Sequence, residues 1–302
     1  MTQELLQQLM NWLVLGSIYA LLAVGFSLLF GVLNIIHFSH GDVSLIAPFL
    51  VLAGAKMFMS GIDTGSLILL FVLASVVVGL IGIGIDKVVV QPFRNAPAMM
   101  VMVSTVALGI VVRELIRHLY PAGSNPYAFT TPFSGAAFSV AGVSFNWLFV
   151  VDLCVTATLL SAIWYFLHRT PLGIEVRAVA QDRDAARMMG IHPGRIFRVT
   201  FFITSFTGGI AALLYTAHIG VVRFDFGILV GLMAFSAAVI GGLGSVTGAI
   251  VGGLLLAGVE TLVQATVPGG TSYRLVAAFV LVILFLLFKP AGIFGKPVIE
   301  KV

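Results

Sequence analysis

The sequence predicts an all-α, polytopic integral membrane helix bundle of about eight to nine transmembrane helices, some of them broken or re-entrant. Three observations carry that prediction. Of 302 residues, 60% are hydrophobic and only 9% are charged, against about 25% charged in an ordinary soluble domain. The charges leave uninterrupted runs from Leu5 to Gly41, Thr64 to Ile85, Asn95 to Val112, His118 to Val151, Val199 to Val222 and Phe226 to Val259. A spanning helix needs about 20 apolar residues, so most of these runs reach across a bilayer. Third, the polar residues that interrupt apolar sequence gather in two short stretches, Asn34–Asp42 and Val221–Ile228, where helices are expected to break. No length remains for a soluble catalytic domain, and residues 1–302 read as one transmembrane domain.

Spans are expected at roughly 10–33, 43–59, 64–91, 98–118, 147–168, 198–219, 228–243, 246–267 and 275–288. The N-terminal MTQELLQQLMNW carries no Lys or Arg ahead of its apolar stretch, and no short bounded core with a small-residue cleavage site follows, so it reads as a retained membrane segment. The next connection, NIIHFSHGD, places Asn34, His37, Ser39, His40 and Asp42 within nine residues. Ionisable groups at bilayer depth cost about 3 kcal/mol or more each and face a cavity or the bundle interior. Irregular backbone at that depth survives only where protein or water satisfies it. Two readings stay open: a helix break lining a translocation path, or a short inner loop.

Basic residues set the orientation. The connection His168–Arg198 holds Arg169, Arg177, Arg183, Arg187, Arg195 and Arg198, and positive loops stay inside. Counting spans from there puts the tail, with Lys289, Lys296 and Lys301, inside, together with Lys87 and Arg94, and puts the N-terminus outside. Of the 16 Lys and Arg, five lie outside: Lys56, Arg113, Arg117, Arg223 and Arg274. The charge-free connection 120–146 then lies outside, and its Pro, Gly, Ser and Thr content suits an irregular surface segment that meets solvent or another protein.

The second break, VRFDFGI, carries Arg223 and Asp225. GSIYALL (Gly16–Leu22) and GGIAALL (Gly208–Leu214) match at five of seven positions, and each precedes a Phe-x-x-Gly step, Phe38–Gly41 and Phe224–Gly227. The two spans run in opposite directions. This hints at an inverted repeat whose breaks meet near the midplane, with chance similarity between apolar strings as the alternative. Further on, Gly244, Gly248 and Gly252 recur every four residues and predict a face of close helix packing.

Several functions are excluded. There is no basic, aromatic-interleaved surface for nucleic acid. Cys154 is the single cysteine, which removes disulfide frameworks and Cys-based metal sites. His37, His40, Asp42, His192 and His218 form no H-E-x-x-H, and spacing assigns neither a Ser-His-Asp order nor a carboxylate pair, so no catalytic or metal-ligating residue is expected. GGLGSVTG (Gly241–Gly248) lacks the G-x-x-x-x-G-K-[ST] phosphate loop, so no ATP site is expected in this chain.

Within the inner connection, DRDAARMMGI predicts a short helix. Asp182 or Asp184 caps or charges its start, Arg187 suits its end, Gly190 closes it and His192–Gly194 turns the chain back. The string Asp184–Gly190, DAARMMG, resembles the EAA-x-x-x-G coupling signature of permease subunits in bacterial ABC importers, with Asp for the first Glu. It follows G-x-x-x-R-A-x-A at Gly173–Ala180, the form found in the branched-chain amino acid permease family. NIIHFSHGD, GSIYALLAVGFSLLFG, AVIGGLGSVTGAIVGG (Ala238–Gly253) and KPAGIFGKP are also similar to that family, so the resemblance spans nearly the whole chain.

The resemblance implies a multi-pass permease of the bacterial inner membrane. It pairs with a second, homologous permease, sits on two ATPase subunits that hold ATP and Mg, and receives substrate from an external binding protein. The cytoplasmic coupling loop is 169–197, with Arg177, Asp182, Arg183, Asp184, Ala185, Ala186, Arg187 and Gly190 as contacts to the ATPases. A branched-chain amino acid is a zwitterion with an apolar side chain. Asn34, His37, Ser39, His40 and Asp42, with Arg223 and Asp225 opposite, would supply the polar groups of its path. Relatives carry other amino acids, urea or small organic acids. The alternatives are a stand-alone secondary transporter, a channel for a small polar solute, and a purely structural membrane subunit.

Overall fold

The computed structural model describes residues 2–57, 63–94, 96–120, 124–140 and 142–295. Lys296 and Lys301 of the tail lie outside the described residues. Helix α1 (Thr2–Leu33) is followed by non-helical residues 34–39, then α2 (His40–Ser44) and α3 (Ile46–Met57). Next comes α4 (Thr64–Ile85), continued through a π turn (Asp86–Val90) and a 3-10 turn (Gln91–Phe93) to α5 (Ala98–Leu119). Strands β1 (Tyr127–Ala128), β2 (Ala136–Val140) and β3 (Val143–Asn146) precede α6 (Trp147–Arg169). The chain then runs through α7 (Pro171–Gln181), α8 (Arg183–Met188), α9 (Pro193–Ile219), β4 (Val221–Val222), α10 (Phe226–Gly241), α11 (Val246–Thr266) and α12 (Gly270–Phe288).

The 32 residues of α1 make a rod of about 48 Å. From Trp12 to Leu33 it is apolar around nearly its whole circumference, and a helix without a polar face belongs in an interior. Ile18, Leu21, Leu22 and Leu29 are accordingly buried against α9, α10 and α11. Small residues let these helices approach. Gly253 of α11 lies on the backbone of Tyr19 and Ala20, and Gly248 and Gly252 lie on Gly241 and Ala237 of α10, with no room for a Cβ at any of the three. The third glycine expected on that face departs from the expectation. Gly244 sits ahead of α11 with φ +88°, in the turn from α10, where it packs on Gly31. A four-residue glycine spacing suits a helix face, but the positive φ of Gly242 and Gly244 ends α10 and delays the next helix to Val246.

Helix α9 carries buried Thr200, Thr204, Thr207 and Thr216, each of which donates its hydroxyl to a carbonyl three or four residues back. Polar side chains at membrane depth are thereby satisfied within their own helix. Peripheral helices turn apolar residues outward, as α12 does with Val276, Val280, Ile283 and Leu287, a surface suited to lipid.

Seven helices among the described residues are long and apolar enough to cross a membrane, and α10, at 16 residues, is a shorter apolar one. The crossings expected at 43–59 and 228–243 are thus met by α3 and α10, each of which begins after a break and falls short of a full crossing. The stretch 120–146 is not irregular throughout. β2 and β3 form an antiparallel hairpin with Phe138 stacked on Phe145 at 4.7 Å, and β1 pairs with β4 after α9. The inner connection carries a second helix, α7, whose start Thr170 caps, with Pro171 in the first turn. Pro193, expected in a turn, instead opens α9.

One end of the bundle gathers the start of α1 and the hairpin, where Met10 packs with Val143 and Phe145. The other gathers the end of α1, the 86–94 turns, α8 and the start of α9. Helices α1 and α9 therefore run antiparallel.

Candidate functional site

The first break begins where α1 stops. Asn34 adopts φ +54°, which a residue with a short polar side chain tolerates better than most. The chain then enters the protein. His37, Ser39, His40 and Asp42 are all buried, whereas Asn34 is exposed. The His37 ring stands edge-on to Phe201 at 5.4 Å, and Ser39 Oγ lies 3.4 Å from its Nε2. Phe38 N donates to Thr105 Oγ1 of α5 at 3.3 Å. His40 packs edge-on to Phe26 at 4.9 Å, in space left free by Gly25 and Gly208.

Asp42 Oδ2 accepts from Arg113 Nη1 at 2.8 Å, across from α5, with Asp42 5% and Arg113 19% exposed. Such a pair inside a membrane bundle has little water to fall back on, and its members hold each other in place. Sequence reasoning counted Arg113 as an outer charge and missed this role. The signal was an Arg within a strongly apolar helix, which needs a partner. Buried Asp152 and Glu260 were missed similarly. Asp152 Oδ2 accepts from Ser17 Oγ at 2.7 Å, and Glu260 Oε2 lies 3.4 Å from Tyr19 Oη.

The second break leaves α9 at Gly220 (φ +76°) and reaches α10 through β4. Its Arg223 and Asp225 do not stand opposite the first group. They pair with each other at 2.6 Å, 44% and 36% exposed, with Phe224 alone between them in the sequence. What the structure brings together is the glycines of the two Phe-x-x-Gly steps. A Cβ on Gly41 would strike Gly227 O and Gly231, and one on Gly227 would strike Asp42. Phe38 and Phe235 meet at 5.8 Å further along, so α2 and α10 lie side by side and antiparallel. Beside this contact is a cavity of about 180 Å³, walled by Phe26, Phe38, Val106, Leu232 and Phe235, with Ser39, Asp42 and Arg113 as its polar groups.

At the end of α1 a larger vestibule of about 980 Å³ is lined by Asn34, Arg94, Arg177, Asp182, Arg183 and Ser245, among others. Helix α8 closes one side. Asp182 Oδ1 accepts from Asp184 N and Ala185 N, both at 2.9 Å, and Gly190 (φ +82°) ends the turn that follows. Its outward face presents Met188 and Met189, 83% and 82% exposed, beside the Arg187–Asp184 pair at 3.4 Å. Ala186 is buried, and Arg183 turns inward, its guanidinium 5.4 Å from the Phe197 ring. Burial, then the neighbouring Arg94 and Arg187, lowers the Arg183 pKa from its ordinary value. Among the described residues no three His, Cys, Asp or Glu side chains converge as metal ligands.

An all-α membrane bundle with two broken segments in contact over a buried charge pair, and a capped helix projecting at one end, has the build of a transport subunit. The chain belongs to the family described as branched-chain amino acid transport system / permease component, whose model matches residues 8–287. It is 34% identical to the high-affinity branched-chain amino acid transport system permease protein BraD of Pseudomonas aeruginosa over 98% of both chains. It is 35% identical to the corresponding protein LivH of Escherichia coli, over 98% of this chain and 97% of that one. Among solved structures, PsaBC from Streptococcus pneumoniae in complex with Fab matches with a TM-score of 0.51 at 13% identity, covering 94% of this chain and 92% of that chain, which shows a shared fold.

Proposed function

We propose that this chain is one of two permease subunits of an ABC importer for branched-chain or closely related amino acids in a bacterial inner membrane. Partner ATPases, which hold ATP and Mg, drive it, and an external binding protein loads it. The observation that carries this reading is the cavity beside the Gly41–Gly227 contact. Its walls are apolar and it offers one carboxylate and one guanidinium, the complement of a zwitterion with an aliphatic side chain. At about 180 Å³ it has room on the order of six waters, enough for one small solute.

Ile228 and Leu232 of α10 and Val106 of α5 line this cavity and are exposed. Lipid is a poor cover for a face that opens on an ion pair, so this face suits the second permease, and the path runs between the two subunits. Relatives named as high-affinity branched-chain amino acid permeases support the substrate class. In this reading His37, Ser39, His40 and Asp42 line or brace the path, and Asn34 stands at its inner mouth. The 169–197 loop and the C-terminus are cytoplasmic, while the N-terminus and the 120–146 stretch are external. Met188 and Met189 on α8 enter a groove of an ATPase.

The test is reconstitution with the partner permease, ATPases and binding protein in liposomes. ATP-dependent uptake of leucine in preference to urea is expected. Uptake at full rate by this chain alone, without ATP, would falsify the reading in favour of a secondary transporter or channel. Labelling of a Met189→Cys, Cys154→Ser chain from outside intact cells would overturn the orientation.

A further inference from the structure

Arg183 belongs to α8 yet does not point where a partner on its outer face would sit. Its Nη2 donates to Val32 O at 3.3 Å and to Leu33 O, the last carbonyls of α1. Four carbonyls at a helix C-terminus lack intrahelical partners, and a cation there satisfies them and complements the helix dipole. The same guanidinium lies over one side of Phe197, while that of Arg94 lies at 4.4 Å from the same ring. Arg94 is held in turn by buried Asp86 at 2.5 Å. Four residues along the same face of α9 is Phe201, against which His37 packs. One side chain thus ties α8 to the end of α1, directly ahead of the left-handed Asn34 where the first break starts.

We infer that Arg183 is the positioning residue that carries displacement of α8 into the first break, by holding the C-terminal end of α1 and the Phe197 ring to the helix that the ATPases move. This rests on the function proposed above. It separates two tasks within α8: Met188, Met189 and Arg187 engage the partner, and Arg183 transmits. Arg183 substitutions therefore uncouple the transporter and leave its assembly intact.

The experiment uses the reconstituted full complex with leucine as probe. Arg183→Ala should keep the ATPase subunits on co-purification within twofold of wild type. Leucine taken up per ATP hydrolysed should fall about tenfold, the scale expected on losing a charged donor shared by two carbonyls. Arg183→Lys, which still reaches a carbonyl but cannot stack on Phe197, should recover part of that ratio. Arg187→Ala, on the face that engages the partner, should instead weaken retention of the ATPases on co-purification.

A second readout needs no transport. On a Cys154→Ser background, spin labels at Met189→Cys and Ile35→Cys should keep their separation on ATP–vanadate trapping with Arg183 present, and change it with Arg183→Ala. An unchanged uptake-to-ATP ratio in Arg183→Ala, loss of the ATPases from that variant, or label distances indifferent to it would each overturn the inference. A wild-type complex that takes up no leucine would count against the proposed function, and the label distances would still decide the role of Arg183.

Discussion

The two breaks share a Phe-x-x-Gly step and an Asp–Arg pair, and they use them in opposite ways. In the first, Asp42 reaches 71 residues along the chain to Arg113, and both are largely withdrawn from solvent. In the second, Arg223 and Asp225 close on each other within one turn of surface chain, and the Arg223 guanidinium lies 5.6 Å from the ring of Phe226, three residues on at the start of α10. The glycines behave alike, each supporting the other's helix. The backbone step serves both breaks alike where the two helices touch, while the charges beside it differ. A buried, long-range pair fixes the relation of α2 to α5, and an exposed local pair fixes almost nothing.

The largest way to break this comparison is at the shared contact. In Gly41→Leu the new side chain meets backbone atoms of Gly227 and Gly231 rather than a side chain able to turn aside. A loss of about 3 kcal/mol or more, or failure to accumulate in the membrane, is expected, measured as thermal stability of purified protein. Gly227→Leu should match it, and tolerance at either position would mean that the half-helices separate more readily than their packing indicates. Next in size, Arg113→Ala strands a buried carboxylate and should cost about 3 to 5 kcal/mol along with most leucine uptake. Adding Asp42→Ala should return stability by about 1 kcal/mol or more while uptake stays lost, since the two residues are in contact. Additive losses in the double variant would show that the pair is not coupled.

What the sequence made legible followed the range of each interaction. The cap of α8 could be read because Asp182, Asp184, Ala185 and Gly190 lie within nine residues and act on their own backbone. The breaks could be read because polar residues interrupt apolar runs, and the resemblance between their Phe-x-x-Gly steps was visible as a string match. That Gly41 and Gly227 touch was not legible, since no local property encodes a contact between half-helices. Arg113 was placed by charge counting, which assigns a side of the membrane but no partner. Likewise Arg183 read as one more contact for an ATPase, because the direction of its side chain depends on where α1 ends, some 150 residues earlier. Span counting treated 43–59 and 228–243 as full crossings because hydropathy registers composition, whereas the depth at which α3 and α10 begin is set by the breaks before them.

The smallest expected effect is the sharpest control on the comparison. Arg223→Ala removes a guanidinium that is nearly half exposed, paired with Asp225 two residues on and 5.6 Å from the Phe226 ring. An exposed pair gains little Coulomb energy in water, is screened by salt and loses rotamer freedom to hold its geometry, so its net worth is about 0 to 1 kcal/mol. Thermal stability should shift by less than about 0.5 kcal/mol, and any shift should vanish by about 0.5 M salt, where screening lengths shorten to a few ångströms. Leucine uptake should stay within about twofold of wild type, since the side chain lies outside the cavity walled by Phe26, Phe38 and Phe235. The Arg113→Ala defect should persist in the same salt, because bulk ions screen a buried pair much less. If Arg223→Ala instead matched Arg113→Ala in size and salt insensitivity, the second break would be a working half of the path rather than the support of α10, and the asymmetry between the two breaks would be lost.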